Sequence, residues 1–323
     1  MVRVRILTPL VLVPLAFALP HAAAGEIAPA STLEEDAPLY ASSTRLDRIG
    51  RVVAPVTING SGPFRLVVDT GASHSTFSPR LADALGLTPS LESPLLLNGV
   101  TGVAPVPTVL VKRIQAGEVL IEDVKVPVVW STIMADADGI LGVAGLRREK
   151  IFVDFRNDRI VITRSSDRLD TSGFVTIPAR RVAGGLLQVL ATINGVPARV
   201  VVDTGAERTL GNLALRRSLQ RAAVKRKRDI KWAATRVFGA TEDVAHGESS
   251  IATDIRIGEA LISGADIVYG DFHIFKVWEM DRKPAVLLGM DVLGTVGAMV
   301  IDYGAREIHL DLRKIATSAR QDP

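Results

Sequence analysis

Cysteine is absent from all 323 positions, which excludes disulfides, thiolate metal sites and lipid attachment through an N-terminal cysteine. Neither sign of charge dominates. With 38 basic and 35 acidic residues the net charge is only +3, and that balance gives no support to a nucleic-acid partner. The one basic run, Lys225-Arg226-Lys227-Arg228, lies beside a predicted helix end and reads as a solvated loop. The histidines, His21, His74, His246, His273 and His309, nowhere fall at metal-ligand spacing from one another or from a carboxylate cluster, so no metal site is expected. Also missing are a Gly-x-Ser-x-Gly elbow, a phosphate-binding loop of the Walker type and a dinucleotide fingerprint, and with them the hydrolase and nucleotide classes they mark.

Long apolar runs are lacking as well. The only candidate, Ile6 to Leu19, is short for a membrane span and carries Pro9 and Pro14. Preceded by Arg3 and Arg5 and followed by Ala22-Ala23-Ala24, it has the layout of an export signal, with cleavage expected after Ala24 and an uncleaved anchor as the alternative. The mature protein is therefore expected to be periplasmic or secreted, without a stable membrane span.

What is present is a duplication. Ile58-Asn59-Gly60 recurs as Ile193-Asn194-Gly195, and Leu66-Val67-Val68-Asp69-Thr70-Gly71-Ala72 recurs as Val200-Val201-Val202-Asp203-Thr204-Gly205-Ala206, the aspartates standing 134 residues apart. Ile114-Gln115-Ala116-Gly117-Glu118 matches Ile255 to Glu259 at an offset of 141, so seven residues have been added to the second copy, read as a loop elaboration holding the basic run. Ile140-Leu141-Gly142 matches Leu287-Leu288-Gly289 at 147, and Asp154-Phe155 matches Asp302-Tyr303 at 148.

Nearly half of the residues are apolar, enough for two domains that each bury a core. The expected order is a signal peptide over 1–24, a flexible tail over 25–45, a first lobe over 46–164, a polar linker over 165–172, a second lobe over 173–315 and a short tail over 316–323. Short runs rich in Val and Ile, bounded by Gly, Pro and Asn, predict strands at 64–69, 109–114, 124–130, 151–155 and 160–163. Helices are few: 79–85, opened by Pro79 and closed by Gly86, and 212–223, with short turns after Gly142 and Gly289. The fold class is all-β, as two homologous lobes about a pseudo-twofold axis.

A strand ending in Asp-Thr-Gly sets a carboxylate at the mouth of a tight turn, and the glycine lets a second such loop come alongside. Two carboxylates so placed cannot both ionise freely. They hold one proton between them and titrate as a unit. An ionised member can then take a proton from water while the protonated one donates to a carbonyl oxygen, with no metal, cofactor or covalent intermediate required. Thr70 and Thr204, just behind the carboxylates, are assigned to holding the two loops together. Asp154 and Asp302, though also duplicated, precede turns and read as structural. His74 and the tryptophans Trp130, Trp232 and Trp278 read first as a surface residue and as packing residues.

Both Asp-Thr-Gly segments, each followed at matching distance by an apolar pair and glycine, resemble the retropepsin-like aspartic proteases over roughly 52–163 and 188–312. Aspartic proteases are the standard example of two carboxyl groups sharing one proton. The resemblance implies that Asp69 and Asp203 are the catalytic pair, supported by Thr70, Gly71, Thr204 and Gly205. It also implies that a glycine-containing flap from each lobe closes over a polypeptide substrate, the first around Gly99 and Gly102 and the second around Gly239. Members of that family commonly carry one such domain and dimerise. Here one chain holds both, so a monomer is expected. The activity implied is that of an endopeptidase; the alternative is a periplasmic peptide-binding or scaffold module that keeps the groove without cleaving.

Overall fold

The computed structural model describes residues 2–6, 42–43, 50–130, 134–241 and 244–313. The apolar part of the expected signal beyond Ile6, the Ala22 to Ala24 region, all of the 25–45 tail except 42–43, and the 316–323 tail lie outside the described residues. Among the described residues no helix is long and apolar enough to cross a membrane.

Among the described residues strands dominate, in three sheets of seven, eleven and six strands, with four α-helices of four to thirteen residues. The seven-stranded sheet belongs to the first repeat and the eleven-stranded sheet to the second, with Arg3–Ile6 added at its edge. Each is seeded by an Asn-Gly hairpin. Asn59 and Gly60 have φ of 50° and 83°, Asn194 and Gly195 have 49° and 81°, and two left-handed residues in succession give the turn whose twist suits a two-residue hairpin. The asparagine side chains then fasten each hairpin to the next strand. Asn59 Oδ1 accepts from the N–H groups of Lys112 and Arg113, and Asn194 Oδ1 from those of Thr253 and Asp254.

The second arm of each hairpin, Ser61–Val68 and Val196–Val202, ends at an aspartate. It is flanked on one side by its antiparallel partner, Val53–Ile58 or Leu187–Ile193. On the other side runs a parallel strand carrying the apolar pair of the second signature, Gly139–Leu141 or Ala285–Leu288. Observed strands run longer than the predicted ones, and the one predicted over 124–130 is Val119–Pro127, which leaves Trp130 beyond it and exposed.

The six-stranded sheet joins the two halves of the chain. Glu149–Asp154 pairs with Ala298–Asp302, and in that pairing Phe152 faces Val300, which is its own equivalent 148 residues on. A pseudo-twofold axis therefore passes between them. Apolar side chains of both halves and of this shared sheet join in one large cluster, with Val56 and Leu141 from the first repeat and Val201 and Leu288 from the second all buried, while a smaller cluster around Val53, Val67 and Ile140 lies within the first repeat.

Helix Pro79–Ala84 starts with Ser78 Oγ accepting from Leu81 N–H and a proline in its first turn; Leu213–Lys225 starts with Asn212 Oδ1 accepting from Leu215 N–H. These two helices correct the expectation of a loop elaboration in the second copy. They have six and thirteen residues, a difference of seven, so the addition lengthens a helix ahead of the second flap. Lys225 ends this helix and Arg226 to Arg228 follow it, all exposed, with Arg226 Nη1 donating to Asn194 O. The short helix His273–Val277 was not foreseen.

Candidate active site

Asp69 and Asp203 meet at the pseudo-twofold axis. Their N–H groups donate at 3.0 Å to Leu141 O and Leu288 O, the ends of the two neighbouring parallel strands, which fixes each aspartate at its strand mouth. Beyond it the chain turns, and Oδ1 of Asp69 accepts from the N–H groups of Gly71 (2.8 Å) and Ala72 (2.9 Å). In the same way, Oδ1 of Asp203 accepts from Gly205 (2.9 Å) and Ala206 (3.1 Å).

Each glycine lies under the opposite carboxyl group. A Cβ on Gly71 would stand 2.3 Å from Asp203 Oδ2, and one on Gly205 would stand 2.1 Å from Asp69 Cγ. Any side chain at either position would occupy the space of the carboxyl across the axis, which is the physical reason for glycine there.

Thr70 and Thr204, both buried, lock the loops together. Thr70 N–H donates to Thr204 Oγ1 at 3.2 Å and Thr204 N–H donates to Thr70 Oγ1 at 3.1 Å. Each hydroxyl donates onward to the opposite lobe, Thr70 to Val202 O and Thr204 to Val68 O. Each threonine thus uses its N–H as a donor and its hydroxyl as both donor and acceptor. A second layer ties in the signature glycines: Gly142 N–H donates to Ser75 Oγ and Gly289 N–H to Thr209 Oγ1, while Val143 and Met290 donate to Ala72 O and Ala206 O.

Burial raises the Asp69 carboxyl above its ordinary range, against the pull of its backbone donors and of Arg51. Burial, and then the negative charge of Asp69, raise Asp203 much further. The two side chains are within hydrogen-bonding reach of one another. Both shifts favour retention of one proton by the pair at pH values where an isolated aspartate has lost its own.

A cleft of about 690 Å³ lies over the pair. Its roof is formed by two hairpins whose tips fall where the flaps were expected, between Ser90–Asn98 and Val103–Ala116 and between Ala233–Phe238 and Val244–Ala252. Gly99 N–H donates to Gly102 O across the first tip. The tips touch: Thr101 Oγ1 and Thr241 Oγ1 are 2.8 Å apart, and a Cβ on Gly239 would come within 2.4 Å of Thr101 Oγ1. On one wall stand Leu95, Leu97, Val129, Met134 and Ile140; on the other stand Leu210, Val237, Val268, Ile274 and Trp278.

His74 lines the cleft, exposed, with Nδ1 3.0 Å from Ser73 Oγ. Trp278 lines it too, buried against Phe275, whereas Trp232 packs edge-on to Tyr269 outside it. Asp154 and Asp302 lie away from the cleft and hold turns, Asp154 Oδ1 accepting from Arg156 and Asn157 N–H groups and Asp302 Oδ1 from Ala305 N–H. Among the described residues no three carboxylate or imidazole groups converge as metal ligands would.

Two contributors escaped the sequence reading. Arg51 is buried in the cleft wall, near enough to Asp69 for its charge to act on that carboxyl. The helix His273–Val277 anchors the first flap: His273 N–H donates to Val100 O at 2.9 Å, and His273 Nε2 lies 3.1 Å from Asn98 Oδ1.

No curated protein matches this chain as a relative. A sequence profile described as aspartyl protease matches it twice, over residues 54–144 and 189–292, and each match contains one Asp-Thr-Gly loop and its signature glycine. Two matched regions, one all-β two-lobed fold and two loops interlocked at a common axis lead to one identification: the chain belongs to the aspartyl protease family, in tandem form.

Proposed function

We propose that the protein is an aspartic endopeptidase that hydrolyses extended polypeptides with a water activated between Asp69 and Asp203. The observation that carries this reading is the placement of the two carboxyl groups at the floor of a roofed cleft, each sitting over the other loop's glycine. An ionised carboxylate accepts a proton from the water as its oxygen attacks the peptide carbonyl carbon, and the protonated partner donates to the carbonyl oxygen. The tetrahedral diol then breaks down: the C–N bond cleaves, the amine leaves with the proton that the first carboxylate took from water, and one diol hydroxyl gives its proton to the second carboxylate as the C=O of the new carboxyl group forms, so the dyad regains its single proton.

Substrate would lie as a strand between floor and flaps, its backbone bonded to the hairpins and alternate side chains entering the apolar walls. The touching flap tips must part to admit it. One chain supplies both loops, which supports a monomer. The Arg3, Arg5 and Ala22-Ala23-Ala24 pattern supports an exported enzyme, although the described strand Arg3–Ile6 pairs with Ala260–Ser263, a sheet edge that signal cleavage would uncover.

Digestion of a diverse peptide library across pH ~3 to 8, a span that brackets the ionisations of such dyads, with products sequenced by mass spectrometry, tests the reading. Cuts inside peptides, flanked by apolar residues, are expected. Folded protein that binds peptides and cuts none would transfer the reading to a binding module.

A further inference from the structure

The hydrogen bonds that the two loops make to their own carboxyls are equivalent, so nothing within the loops decides which aspartate carries the charge. The strands beside them differ. In the first lobe Val53 faces Val67, and Val68 N–H donates to Val52 O at 2.8 Å; continuing that register by one residue sets Arg51 opposite Asp69. In the second lobe Gln188 faces Val201, and the same continuation sets Leu186 opposite Asp203. Arg51 is 2% exposed and Leu186 1%, and both line the cleft. A guanidinium remains charged throughout the pH range of a folded protein and favours an ionised neighbour, whereas leucine offers a carboxylate nothing.

We propose that Arg51 is a positioning residue that divides the labour of the dyad, holding Asp69 as the carboxylate that takes the proton from water and leaving Asp203, beside Leu186, as the acid. This rests on the peptidase reading. The directions of the two carboxyl shifts agree with it, since Arg51 draws Asp69 down while the charge of Asp69 pushes Asp203 up. Other titratable or charged groups face the pair without a comparable bias. Tyr303 is buried with its phenol pushed up by burial and then by the charges of both carboxylates, so it stays neutral. On the loops, His74 and Glu207 are exposed, and Arg208 is paired with Asp266 at 2.6 Å.

Arg51→Leu makes the first lobe like the second, and Arg51→Gln keeps a polar stem should the leucine variant fail to fold. Removing a charge that favours ionisation moves every proton loss of the dyad to higher pH. Both limbs of the kcat/KM profile should therefore shift up by about one pH unit, a roughly tenfold loss on the acidic limb, whereas a merely structural role would lower the plateau and leave the limbs in place. Carbon-13 titration of the aspartate carboxyls, assigned with Asp203→Asn, reads the same effect without any substrate. Asp69 should ionise first in the wild type, and its lead should vanish in the Arg51 variants. Asp203 ionising first, or limbs and titration unmoved in a folded variant, would overturn the inference. If the wild type cuts no peptide, the peptidase reading fails and the carboxyl titration still decides the role of Arg51.

Discussion

The loop around Asp69 and the loop around Asp203 make the same hydrogen bonds to within 0.2 Å, yet their surroundings have parted. In the first lobe Ser75 Oγ alone receives the signature glycine, whereas in the second Thr209 Oγ1 does so while donating to Asp291 Oδ1 at 2.7 Å. The first flap is fastened to the helix His273–Val277, which belongs to the other half of the chain; the helix after the second loop has more than doubled in length. The groups that must meet at the axis are identical in the two copies, whereas away from it identity is kept at the Asn-Gly turns and lost in the signature-glycine acceptor and in the helix after the loop.

That contrast can be broken most forcefully at the glycines. Gly71→Ala and Gly205→Ala each drive a methyl into the carboxyl across the axis. Both should abolish cleavage and cost about 1–3 kcal/mol in denaturant unfolding, the usual range for overpacking. An active alanine variant in one lobe would show that the loops are less interlocked than described. Next come Thr70→Val and Thr204→Val, which leave a buried N–H of the opposite loop unpaired and should each cost about 1–3 kcal/mol. Similar losses are expected from the two, measured by urea unfolding, because their bonds are equivalent. A loss confined to one would mean that only one threonine bears the junction.

The smallest effect sharpens the asymmetry between the aspartates. The raised Asp203 carboxyl binds its proton more tightly folded than unfolded, so it opposes folding above its unfolded range, and the opposition disappears as pH falls and both states become protonated. Asp203→Asn, whose amide oxygen can still accept from Gly205 and Ala206, should therefore raise Tm at neutral pH and have little effect near pH ~3. The same substitution at Asp69 should give a lesser gain, because Arg51 offsets part of the burial there. Equal gains at the two positions would count against that asymmetry.

Much of this site was legible because it is written locally and twice. Asp-Thr-Gly at a strand end, the apolar pair with glycine, and the Asn-Gly turns are short patterns whose backbone requirements are intrinsic to the residues. The hairpin tips at Gly99 to Gly102 and at Gly239 were expected only from the family resemblance, which implies a glycine-containing hairpin in each lobe, and not from any local pattern. Arg51 was not legible, because its place depends on register. Ile58 pairs with Ser61, but Val56 pairs with Phe64, so a bulge in the first hairpin adds a residue that the second lacks. Counting back from the turn without it would miss the pairing of Arg51 with Asp69 by one residue, and a one-residue slip reverses the face of every side chain. A trace of the bulge exists in the duplication itself, where the turns match at an offset of 135 and the aspartates at 134. The shared sheet and the helix at 273 depend on contacts between distant segments, which no local pattern encodes.

The most direct test of the central claim is the rate of cleavage of one peptide from the library by wild type, Asp69→Asn and Asp203→Asn, with circular dichroism to establish that all three are folded. If the two carboxyls act as one dyad, either substitution alone lowers kcat by at least about 10²–10⁴-fold, the range for loss of a general acid or base, and the double variant is no worse than the singles. Cleavage that survives in either folded single variant would contradict the account, for it would mean that the peptide is cut without one of the two aspartates.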